Sequence, residues 1–220
     1  MGCRIYMIFE IGMDHYFTIE NPSEGLYREK GSRFLGFAQP VNNENEIRAE
    51  LGRLKKKYHD ARHHCYAWVL DTEGKVYRAY DDGEPGHSAG DPILGQIRSK
   101  RLTNVLVVVV RYFGGTKLGV SGLIHAYKTA AELSLSNAVI VRKEITACFD
   151  IHYPYELTNE VMRLVHDLEM KIVEQHFQEK CTTRVEIGIN KIGKLEEKGQ
   201  LMVDMGKKIE LVKHAEGQLP

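Results

Sequence analysis

Residues 105–122 read VLVVVVRYFGGTKLGVSG, and the rest of the chain organises around them. Residues 105–110 form an unbroken apolar run of strand length, rich in β-branched side chains, the pattern of a strand buried on both faces. The run stops at Arg111, and four glycines follow: Gly114, Gly115, Gly119 and Gly122. Residues 123–137 then place Ile124, Tyr127, Ala131 and Leu135 on one stripe, which predicts a long helix whose alanines permit close packing. A strand, a glycine-rich turn and a helix in succession predict a domain of mixed α and β structure.

Outward from this segment the signals continue. Residues 16–19, 25–29 and 33–40 read as strands divided by the turn residues Asn21-Pro22-Ser23 and Lys30-Gly31-Ser32. Residues 44–59 predict a helix, with Ile47, Leu51, Leu54 and Tyr58 on one apolar face. Residues 65–70 and 75–80 predict a hairpin. Asp91-Pro92 predicts a helix start, with Asp91 as N-cap and proline in the first turn. After Arg142-Lys143-Glu144 the pattern restarts: a strand at 145–153, a helix at 154–168, strands at 170–177 and 181–189, a helix at 191–202 and a strand at 208–213. The order β-α-β-β-α-β is that of a ferredoxin-like domain. It sets a boundary near residue 144, with domains at 13–144 and 145–220. Residues 1–12 read as a possible upstream extension, since Met13 is an alternative start.

Composition narrows the function classes. With 43% hydrophobic and 27% charged residues, disorder over the whole length is excluded. No run reaches the roughly 18 apolar residues of a membrane-spanning helix, and the N-terminal stretch is broken by Glu10 without a small-residue cleavage site. Lys+Arg and Asp+Glu are both 30, so any nucleic-acid binding must use a local patch. Cys3, Cys65, Cys148 and Cys181 lack metal-type pairing and read as free thiols in a reducing compartment. The chain is therefore expected to be cytoplasmic, with no membrane contact and no cofactor or metal.

Three segments carry candidate chemistry. At residues 111–122, glycines that admit close backbone approach, a helix start, Arg111 and Lys117 together suit a phosphate or another anion. A tight turn that lets the helix pack on the sheet explains the same residues, and both readings stay open. The segment matches neither the G-x-x-x-x-G-K-[ST] phosphate loop nor G-x-G-x-x-G. Ser121 reads as a helix cap, because Leu123 breaks the G-x-S-x-G nucleophile motif. The acidic loop Asp81-Asp82-Gly83-Glu84 could bind a divalent cation or serve as acid and base, or its carboxylates could accept backbone and arginine hydrogen bonds. His63 and His64 are neighbours on a strand and point to opposite faces, so one at most joins a given site.

These segments together resemble the IMPACT/YigZ family. The resemblance rests on Gly31-Ser32-Arg33-Phe34-Leu35, Asp60-Ala61-Arg62-His63-His64-Cys65-Tyr66-Ala67, Asp81-Asp82-Gly83-Glu84-Pro85 and Arg111-Tyr112-Phe113-Gly114-Gly115-Thr116-Lys117-Leu118-Gly119. It covers roughly residues 25–140. One departure is that Gly86-His87-Ser88-Ala89-Gly90 stands where the family usually has Ser-Gly-Thr-Ala-Gly, so that His87 replaces a glycine. The resemblance implies an α+β protein. Its first domain would be ribosomal-protein-S5-domain-2-like, with helices on one face of a sheet, and its second ferredoxin-like, as in domain V of elongation factor G. Eukaryotic relatives carry a different N-terminal domain and regulate translation.

The leading expectation is a non-enzymatic, translation-associated protein that binds RNA or the ribosome. Arg111, Lys117 and the Gly114-Gly115 and Gly119 backbone would hold phosphate, Phe113 would stack on a base, and Arg62 and His64 would join the patch. Two alternatives differ in class. One is a metal-dependent hydrolase in which Asp81, Asp82, Glu84 and His64 act on a phosphorylated substrate. The other is a protein-interaction module.

Overall fold

The computed structural model describes residues 14–178 and 180–214. The chain divides into two compact units: His15–Lys143 forms one, and the residues from Glu144 onward form the other together with Asp14. Residues 1–12, the expected upstream extension, and Cys3 lie outside the described residues.

The first unit contains β1 (His15–Ile19), β2 (Ser23–Glu29), β3 (Ser32–Pro40), α1 (Glu44–Lys57), β4 (His63–Leu70), β5 (Val76–Tyr80), α2 (Gly90–Ser99), β6 (Val105–Tyr112) and α3 (Gly119–Ser136), and ends within β7 (Ile140–Glu144), whose last residue opens the second unit. Five strands pair in the order β2-β3-β6-β4-β5, antiparallel throughout. The apolar run that opened the sequence reading is the central strand β6, and all of residues 105–110 are buried. Val105, Val107 and Val109 face α2 and α3 with Cys65, Ile93 and Tyr127. Leu106, Val108 and Val110 face α1 with Ile47, Leu54 and Trp68. Helices therefore cover both faces of this sheet, where the family resemblance implied one. The stripe of α1 is the reason: a sheet apolar on both sides needs a second cover, and α1 supplies it.

Local signals explain most element ends. Asn43 caps α1 by accepting from Glu46 N (3.0 Å), and the Glu46 carboxylate accepts from Asn42 N (2.8 Å). Two expected starts differ. Asp91 lies inside the first turn of α2, whose N-cap position is Ala89. Helix α3 begins at Gly119, so Ser121 sits in its first turn and Leu118 stands at the cap without a side-chain bond. Glycines lower helix propensity by roughly 1 kcal/mol each, but packing of the Leu123, Ala126, Tyr127 and Ala130 face outweighs it. Strand β7 was not expected; it pairs with β1 in a separate two-stranded sheet.

The second unit contains β8 (Thr146–Pro154), α4 (Thr158–Asp167), β9 (Lys171–His176), β10 (Lys180–Gly188), α5 (Ile192–Asp204) and β11 (Glu210–Lys213). Its four strands run antiparallel in the order β11-β8-β10-β9. Phe149, Ile151, Tyr153, Val185 and Ile187 pack against Val161, Leu164 and Leu195 from the two helices. Cys65, Cys148 and Cys181 are free thiols. Among the described residues, no helix is long and apolar enough to cross a membrane.

Candidate functional site

Strand β6 ends at Tyr112, and residues 113–118 carry the chain over to α3. Gly114 fits because it has no side chain: a Cβ there would lie 1.9 Å from the Gly31 carbonyl carbon and 2.1 Å from Ser32 N. Its amide donates to Ser32 Oγ at 3.0 Å. The turn between β2 and β3 and the start of the glycine segment thus interlock backbone to backbone, a packing role different from the helix-on-sheet turn expected from sequence. The next glycines behave differently. Gly115 (φ +88°) and Gly119 (φ +72°) take left-handed conformations that favour glycine, and open space surrounds both. Among the described residues, the main-chain amides of residues 115–119 have no hydrogen-bond partner. Only Leu118 of the five is not exposed. One amide of the segment, that of Gly114, is held by Ser32, and those of residues 115–119 are unpartnered at the start of α3, where aligned peptide dipoles favour negative charge.

Beneath this loop lies a buried polar network. Arg111 and Glu84 pair at 2.6 Å with side chains 8% and 4% exposed, and Tyr127 donates its hydroxyl to the same Glu84 oxygen at 2.7 Å. The Arg111 guanidinium also lies over the rings of Phe34 and Phe113, at 5.4 and 5.7 Å. Its Nε is buried and has no partner. The Cys65 thiol lies 2.9 Å from the Asp81 carbonyl oxygen and 3.3 Å from the Tyr127 hydroxyl. Burial pushes both the Cys65 thiol and the Tyr127 phenol far up, so both are neutral near pH 7, and Cys65 is no nucleophile.

The acidic loop is committed to structure. Asp81 caps α2 from a distance: one oxygen accepts from Ala89 N (3.0 Å) and Gly90 N (2.8 Å), the other from His87 N (3.0 Å). Asp82 accepts from His64 N at 2.7 Å, and its carbonyl meets His63 Nδ1 at 2.9 Å. Glu84 neutralises Arg111. These are the structural hydrogen bonds weighed for the loop from sequence. No group of three His, Cys, Asp or Glu among the described residues could hold a metal ion.

A cleft of about 440 Å³ opens between the loop, the start of α3 and the segment entering β4. Arg62, His63, Phe113 and Lys117 line it together with Glu84 and Arg111. Pro85, Leu118, Val120 and Leu123 give it an apolar wall. Arg62 and Lys117 are exposed and make no ion pair among the described residues. Phe113 is 51% exposed, so it is neither a core residue nor a turn-packing one. The arrangement can hold an anion against free amides and two free cations, beside a flat apolar surface.

The structure thus gathers Arg62, Arg111, Phe113, Lys117 and Gly119 around one cleft, with Gly114 and Gly115 on its loop. It does not bring His64 there. His64 is buried on the opposite face of β4, beside Lys55 of α1 and its C-cap residue Tyr58, and burial lowers its pKa. His63 joins the cleft instead. Sequence reasoning found that only one of the pair could join, but the choice depends on which face of β4 shares a side with Arg111. His63 pairs with Arg111 across the sheet, and that register is a tertiary fact. Ser32, Tyr127 and Pro85 were also missed; each acts through a contact distant in sequence.

The Impact N-terminal domain family matches residues 30–135, a span that holds every residue of the cleft. IMPACT family member YvyE of Bacillus subtilis (strain 168) is 30% identical over 164 residues, 74% of this chain and 76% of that protein. The chain belongs to the IMPACT family. IMPACT family member YigZ of Escherichia coli (strain K12) is 29% identical over 171 residues, 77% of this chain and 84% of that protein. A crystal structure described as that of an hypothetical protein, 26% identical, superposes with a TM-score of 0.69 over 93% of this chain and 99% of its own. That agreement is with a mixed α and β fold containing several sheets.

Proposed function

We propose that the chain is a non-enzymatic, cytoplasmic, translation-associated regulator that binds RNA, free or at the ribosome, through the cleft beside residues 115–119. The observation that carries this reading is the set of amides without a partner among the described residues at the start of α3, flanked by the exposed cations Arg62 and Lys117, which make no ion pair among those residues. Phosphate oxygens accept from such groups, and the exposed ring of Phe113 offers a base a stacking surface. The basic last turn of α1, Lys55 to Lys57, adds general attraction. Family membership supports a role connected with translation, the role that the family resemblance implies for its eukaryotic relatives.

The architecture is read in the same direction. The first domain, expected from sequence at residues 13–144, is taken as S5-domain-2-like. The second, 145–220, is taken as ferredoxin-like, which its antiparallel strand order β11-β8-β10-β9 supports. Both folds recur in proteins that contact RNA, an analogy that adds to the site but does not replace it. The hydrolase alternative finds no support in the acidic loop, whose carboxylates already serve α2, β4 and Arg111.

Filter binding of a single-stranded RNA at several salt concentrations tests the proposal. Binding is expected to weaken as salt rises, and Lys117→Ala to lower the log–log slope by about 0.7, the value for one single-strand phosphate contact. Absence of salt-dependent binding at low ionic strength, to RNA and to ribosomes alike, overturns it.

A further inference from the structure

The cleft has two unlike sides. One is polar: Arg62 and Lys117 line it, together with Gly119 from the segment 115–119 whose amides are unpartnered. The other is the apolar wall of Pro85, Leu118, Val120 and Leu123, with the half-exposed ring of Phe113 at its edge. An inorganic phosphate uses the first side and leaves the second wet. A duplex presents phosphates but no free base face for the second. Arg111, 7% exposed, lines the cleft with its Nε unpartnered, a buried donor in want of an acceptor. Glu84 lines the same cleft, but its charge is taken up by Arg111 and its bonded oxygen also accepts from Tyr127, so it does not repel an anion as a free carboxylate would. The volume, about 440 Å³, lies near the lower end of small-ligand sites, which run from about 300 to 1,000 Å³. That is room for one nucleotide and not for a bound stretch of strand.

We infer that the cleft captures a single unpaired nucleotide, its base between Phe113 and the apolar wall and its phosphate on the amides of residues 115–119. This rests on the RNA reading and narrows it: the recognised feature is a strand end or an extruded base, whatever sequence surrounds it.

The test uses the full chain and a fluorescent single-stranded RNA oligonucleotide, displaced in turn by adenosine 5′-monophosphate, adenosine, inorganic phosphate and duplex RNA. The nucleotide is expected to displace the oligonucleotide at concentrations at least tenfold below those needed of adenosine or phosphate. Phe113→Ala is expected to weaken nucleotide binding about five- to a hundredfold, the range for one stacked base, and to leave phosphate binding unchanged. Phe113→Tyr is expected to restore it. If the oligonucleotide binds but the monophosphate fails to displace it, or duplex competes equally, the single-nucleotide inference falls and RNA binding stands. If phosphate competes as well as the nucleotide, the site is an anion site only and the inference falls. If the oligonucleotide itself does not bind, both readings fall.

Discussion

Replacing Glu84 by alanine strands Arg111. The pair is 2.6 Å apart with both side chains at least nine-tenths buried, and Glu84 is also the acceptor for the Tyr127 hydroxyl. Breaking a buried ion pair by removing one partner costs roughly 3–5 kcal/mol, because the remaining charge is uncompensated. The loss of the Tyr127 acceptor pushes the cost toward the upper end of that range. Domains are stable by only about 5–15 kcal/mol, so this single change removes a large share. With a urea m-value near 2 kcal/mol/M, the midpoint falls by about 2 M. The assay is unusually local: Trp68 is the one tryptophan of the chain and is buried in the first unit, so its fluorescence follows that unit alone. Substituting Arg111→Met in the Glu84→Ala background removes the stranded charge and is expected to recover at least half of the loss. A shift below about 1 kcal/mol, or no recovery in the double variant, refutes the buried-pair account and returns Arg111 to the set of cations available for a ligand.

Further expectations follow from neighbouring geometry. Gly114→Ala forces a Cβ into the Gly31-Ser32 backbone and is expected to destabilise by about 3 kcal/mol or more, whereas Gly115→Ala has room and costs only the left-handed strain of about 1–2 kcal/mol; thermal melts compare them. Asp81→Ala removes the cap of α2 and is expected to cost about 1–2 kcal/mol by urea titration, whereas Asp81→Asn keeps an accepting oxygen and is expected to cost less. Burial lowers the His64 pKa, against the opposing pull of Asp82 and with help from Lys55. Its contribution is therefore complete above the unfolded value of about 6.5 and declines as pH falls toward the folded pKa, a dependence that His64→Phe is expected to abolish. His87 runs the other way: its hydrogen bond to Asp91 raises its pKa, so that contribution is present at low pH and fades as pH rises through the raised value. An NMR titration of His87 in wild-type and Asp91→Asn protein shows the shift or contradicts it.

The parts of the fold legible in sequence were those governed by local periodicity. Strand β6 announced itself because both its faces are buried, and α1 because Ile47, Leu51 and Leu54 repeat at helical spacing. The start of α3 was hidden by Gly119 and Gly122, which argue against helix locally and are overruled by packing. The cap of α2 was misassigned to Asp91 because cap rules look at adjacent residues, while the oxygen that serves Gly90 comes from Asp81, nine residues away. At the cleft, glycine clustering pointed to the right segment but could not say that Gly114 is a packing residue and Gly115 an open one. That distinction depends on where the turn between β2 and β3 lies in space. The choice between His63 and His64 likewise waited on the register of β4 against β6.

The central claim is that the amides of residues 115–119 are available to negative oxygens. Titrating isotope-labelled full-length protein with a single-stranded RNA and following backbone amide resonances tests it most directly. The largest shifts are expected at Gly115, Lys117 and Gly119, with Gly114 little changed because Ser32 already holds its amide. Saturable binding with those resonances unmoved, and shifts gathered instead in the unit beyond Glu144, contradicts it.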